Sequence, residues 1–88
     1  MKSIWHEIQA ERERQREEWG GDYHDDQHGP MEWVAILTKH AGSAMPGKLA
    51  HRVASIQRFR TQMVKVAAIA VAAVESIDRR FPKIAATE

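Results

Sequence analysis

The stretch KLAHRVASIQRFRTQMVKVAAIAVAAVESIDRR, residues 48–80, decides the fold. Apolar residues return at Leu49, Val53, Ile56, Met63, Val66, Ala67, Ala70, Val74 and Ile77, which is the spacing of a helix with a buried side. The pattern fits one long helix, or two joined near Ser55 to Arg60. Phe81-Pro82 ends it, because the residue before a proline is steered away from helical geometry. The alanines from Ala67 to Ala73 leave little side chain outside the backbone, so a neighbouring helix can approach closely.

Two further helices precede it. Pro30 suits a helix start, and Met31 to Met45 carries Trp33, Val34, Ile36, Leu37, Ala41 and Ala44 around most of its circumference. Such a helix needs cover on more than one side, and Pro46-Gly47 breaks it. Lys2 to Trp19 is rich in Glu, Arg and Gln, spaces Ile4, Ile8 and Trp19 helically, and stops at Gly20-Gly21. Its middle, Glu11 to Glu18, alternates in sign and reads as a solvated run of local ion pairs. Residues 20–30 hold three glycines, a proline and several Asp, His and Gln residues, and read as a loop. The expectation is one all-α domain, 1–88, a small bundle of three to four helices over about 2–19, 31–45 and 48–80. With no strand pattern, repeat or low-complexity tail, nothing competes with it.

An 88-residue chain buries a smaller share of its surface than a typical domain, so completion by self-association is expected, with a homodimer as the minimum. The absence of cysteine removes disulfides, thiolate metal sites and cysteine nucleophiles. Val64 to Val74, the longest apolar run, is interrupted by Lys65 and falls short of the roughly 20 residues a membrane span needs. Trp5, His6 and Glu7 do not read as a signal peptide, and a cytoplasmic location is expected. Net charge is +1, but residues 1–44 carry five Lys and Arg against nine acids, and residues 45–88 carry eight against three. Opposite halves can attract within a bundle or across a dimer, which leaves nucleic acid the poorer partner for the basic half.

Few constellations carry chemistry. His24, Asp25, Asp26 and His28 have the donor types of a divalent-cation site, but loops collect such residues for turn hydrogen bonds, and capping of the next helix is the expected role. The three tryptophans read as core or interface residues. Gly20-Gly21 follows a helix rather than a strand and makes no phosphate cradle, and no serine has a recognisable base partner.

Several segments in order, Glu11-Arg12-Glu13-Arg14-Gln15, Trp19-Gly20, His24-Asp25, Glu32-Trp33, Ile36-Leu37-Thr38, Gly42 and Met63 to Ala72, resemble small phage-encoded members of the MazG-like all-α nucleoside triphosphate pyrophosphohydrolases. The likeness runs from near Ile4 to about Ile77 and implies a helical bundle assembled as a dimer or tetramer. Members of that family hold magnesium with a Glu-Glu-x-x-Glu motif on one helix and a Glu-x-x-Asp-like motif on the next, oxygen ligands suited to a hard cation. Here the first motif falls on Lys39, His40 and Ser43 and the second on Gln62 and Lys65, so every expected carboxylate is absent. A lysine in a magnesium pocket repels the metal besides failing to ligate it. The resemblance therefore implies a degenerate member without cofactor or metal, a phage-type interaction module able to inhibit a host protein. The alternative is a nucleotide- or phosphate-binding protein in which Lys39, His40 and Lys65, with Ser43 and Gln62, grip an anion directly. A residual hydrolase is the remaining reading.

Overall fold

A computed structural model describes residues 3–44 and 53–85, and every regular element in them is helical. The elements are α1 (Ile4–Trp19), α2 (Gly21–Asp25), α3 (Pro30–Ser43), α4 (Val53–Arg80) and α5 (Pro82–Ala85). The Pro46-Gly47 break, Leu49 and the end of the expected 31–45 helix at Met45 lie outside the described residues.

Each boundary has a local cause. Ser3 caps α1, its hydroxyl accepting from the His6 N–H at 3.2 Å. Gly20 ends α1 in the left-handed region at φ 109° and donates its N–H to the Arg16 carbonyl. Gly21 follows at φ 75° and starts a new helix at once, two steps that side chains rarely permit. The residues read as loop 20–30 therefore contain α2: the glycines redirect the chain without unwinding it for long. At α3, Pro30 takes the first helical position and the Glu32 carboxylate accepts from the Gly29 N–H at 3.2 Å. Expected capping by the 24–28 cluster is corrected, since Glu32 does that work.

α4 is one continuous helix of 28 residues, about 42 Å long at 1.5 Å per residue, and it spans the molecule, whose longest extent is 45 Å. α1, α2 and α3 pack against it. The core is small: Trp33, Ile69 and Ala72, flanked by half-buried Trp19, Ile36, Leu37 and Ala73, with Ile8, Ala44 and Ala68 also buried. α3 is covered along one side within the single chain, where its composition asked for more: Met31 and Val34 are exposed. Of the tryptophans, Trp33 is core, Trp19 borders it, and Trp5 stands in solvent at 76% exposure. No helix among the described residues is long and apolar enough to cross a membrane.

Candidate functional site

Charged and polar side chains link the helices beside the apolar core. Arg12 is 3% exposed and reaches Glu75 on α4 and, at 4.0 Å, Asp25 at the end of α2. Gln15, one turn on, is buried too and donates to Glu11 at 3.0 Å and to the Lys65 carbonyl at 3.5 Å. The reading of α1 as solvated through its middle is thus corrected at two positions. Arg12 and Gln15 continue the row Ile8, Arg12, Gln15, Trp19, whose steps of four, three and four residues keep one helix face turned inward. The expected local pairs are present along the flank of that face, where Arg14 bridges Glu11 and Glu18.

A second set of polar contacts ties the α2–α3 connection to the end of α4. Ser76, with no exposed surface, donates to the Asp26 carboxylate at 2.7 Å, and Arg79 donates to the same carboxylate at 2.7 and 3.3 Å. Asp22 receives Arg16 and Arg79 at 3.1 and 3.4 Å, while Arg80 donates to the His28 carbonyl at 2.8 Å. At the opposite end of α4, Arg60 makes a two-pronged bond to Glu7 at 2.8 and 2.6 Å. The expected attraction between acidic and basic halves is therefore realised within one chain. Around it, aromatic rings lie together: His28 sits 5.1 Å from Trp33, His40 6.2 Å from Trp19, and His24 4.8 Å from His28, centroid to centroid.

These bonds act on the acids. Arg79 and then Ser76 hold the Asp26 carboxyl below its ordinary 3.8, Arg60 holds Glu7 below 4.5, and Arg14 holds Glu11 below 4.5, with smaller help from Gln15 and Lys65. A carboxyl whose folded pKa is depressed contributes stability above its unfolded pKa and loses it as pH falls through the folded value. The contribution of these carboxylates to the melting temperature is accordingly expected to be complete above about pH 5 and to be lost below about pH 4.5. Asp26→Asn should start lower and fall less steeply, whereas an acid slope left unchanged by that substitution would show that this contact contributes nothing. Because these carboxylates are at least partly in water, each contributes modestly.

The five positions of the suspected anion cleft are distributed as follows. Lys39 is exposed, and its carbonyl accepts from the Ser43 hydroxyl one turn later at 3.1 Å. His40 faces Trp19. Gln62 and Lys65 are half-buried on α4, with Lys65 close enough to Glu11 to help keep that carboxyl ionised. Among the described residues no hydrogen bond or salt bridge joins Lys39, His40 or Ser43 to Gln62 or Lys65. In the 24–28 cluster, Asp25 and Asp26 are engaged by Arg12, Ser76 and Arg79, and no three His, Asp or Glu side chains of the described residues are placed to share a metal ion.

Two grooves flank the Glu7–Arg60 pair. One, of about 340 Å³, is lined by Glu7, Glu11, Arg14 and Arg60 with Ala10, Thr61 and Val64. The other, of about 200 Å³, is apolar apart from Arg60, with Ile4 and Ile8 on α1 facing Met63, Val64 and Ala67 on α4. Comparison with models of known families, with curated proteins and with solved structures finds no match to this chain.

Proposed function

We propose that this chain is a non-enzymatic interaction module of MazG-like architecture whose first partner is another copy of itself. The observation that carries the reading is the balance of apolar surface. Ile8, Trp33 and Ile69 are the large apolar side chains that the described bundle buries, while ten others, Trp5, Met31 and Val74 among them, stand exposed. Scattered exposed apolar residues are ordinary, but a core this small beside so many uncovered large side chains favours a surface made to be covered.

The residues of α3 and α4 support the absence of catalysis. Glu32 caps α3, Glu75 pairs with Arg12, and Asp78 is the remaining acid of the two helices. Lys39 and Lys65 occupy places where the resemblance would put magnesium ligands. Purified protein given magnesium and a panel of nucleoside triphosphates is expected to release no pyrophosphate. Turnover that persists through purification and stops on chelation would overturn the non-enzymatic reading. A rise in Tm with nucleotide but without magnesium would favour direct phosphate binding by the Lys39 and Lys65 region instead.

A further inference from the structure

α4 carries a second apolar row that the bundle covers only in part: Met63, Ala67, Ala70 and Ile77 are half-buried, and the rest stand exposed. Positions 53, 56, 60, 63, 67, 70, 74, 77 and, just past the helix end, 81 follow one another in alternating steps of three and four, and each is apolar except Arg60. At 3.6 residues per turn this row lies on the side of the helix opposite Ile69, Ala72 and Ser76, which face the core. Its outer members remain in solvent: Val53 is 70% exposed, Val74 60% and Phe81 50%.

We infer that this outer face of α4 is a homodimer seam, along which α4 of a second copy lies antiparallel about a two-fold axis between Ala67 and Ala70. The inference rests on the proposed self-association and goes beyond it by naming the face, direction and register.

Direction follows from charge and size. Parallel pairing would set Arg60 against Arg60 of the second copy. Antiparallel pairing instead sets it beside Ile77 and exposed Asp78, an opposite charge, while Glu7 continues to hold its flank. In that register the small pair Ala67 and Ala70 lies at the centre, where backbones come closest. Outward from it come Met63 with Val74, Arg60 with Ile77, and Ile56 with Phe81. Val74 of the second copy then meets the groove walled by Ile4, Ile8, Met63 and Ala67. An identical copy is the occupant because the spacing of the row is the same in both directions about Ala67 and Ala70, and because Asp78 of that copy supplies the charge that answers Arg60. A chain short of core also needs a partner wherever it is made, and a second copy is always present.

The chain has no cysteine, so introduced thiols report the arrangement directly. Ala67→Cys protein mixed with Ala70→Cys protein should form the mixed disulfide on mild oxidation. Phe81→Cys alone should form none, since its two copies would sit on the order of 40 Å apart along antiparallel helices. Val74→Glu should lower the mass in solution to that of one chain while the helical circular dichroism persists. A dimer that cross-links through Phe81→Cys, or one that fails to join Ala67→Cys to Ala70→Cys, overturns the seam but leaves self-association intact. A wild-type monomer overturns both, and pyrophosphate release bears on neither.

Discussion

Arg12→Ala is expected to unfold this protein at temperatures where the parent is folded. The guanidinium is buried and answers Glu75 and Asp25 together, so its removal leaves the buried Asp25 carboxylate with only the His24 ring beside it and releases the half-exposed Glu75. Breaking a fully buried pair by deleting one partner costs about 3–5 kcal/mol, and with Glu75 half in water the lower end, about 3 kcal/mol, is expected. For a domain of this size that corresponds to a fall in Tm on the order of 20 °C. Arg12→Lys should recover part of it, since an ammonium restores the charge but cannot span two carboxylates with a planar fork. Thermal melts followed by circular dichroism decide the matter: an Arg12→Ala variant melting within a few degrees of the parent would show that apolar packing alone orders the helices.

Ile69→Ala should come next. Ile69 is 1% exposed, packs with Trp33 and Ala72, and already borders a small cavity of about 10 Å³ shared with Arg12, Gln15, Trp19 and Asp25. Truncation there enlarges a void whose walls are tryptophans and a charged network, neither able to collapse into it, so a loss of about 2–5 kcal/mol is expected by chemical denaturation. An Ile69→Ala loss of a few tenths of a kcal/mol would mean that the Trp33 cluster is not the true core.

Much of the architecture is legible in sequence because it depends on local rules. The helical period of 53–80, the stop at Phe81-Pro82, the glycine stop after Trp19 and the start at Pro30 each act within a few residues, and all appear in the fold. What composition hides is direction. Arg12 and Gln15 look like any other members of a charged run, yet their spacing from Ile8 and Trp19 puts them on the inner face, and that spacing is the cue available in sequence. Asp25 and Asp26 look like loop acids because their partners, Arg12, Ser76 and Arg79, are distant in the chain. α2 hides behind two glycines that signal a break, though here the break lasts a single residue. For the candidate site, the residue types at 39, 40, 43, 62 and 65 are readable at once, whereas the nearness of Lys65 to Glu11 comes from the packing of α1 on α4.

The uncovered apolar surface is proposed to belong to an interface of this chain with itself. Light scattering of the purified protein at micromolar concentration tests it most directly. The expected mass is twice the 10.0 kDa of one chain, or a higher multiple, decreasing on dilution together with Tm. A mass of 10.0 kDa that holds across the concentration range, with a concentration-independent melt, would contradict it.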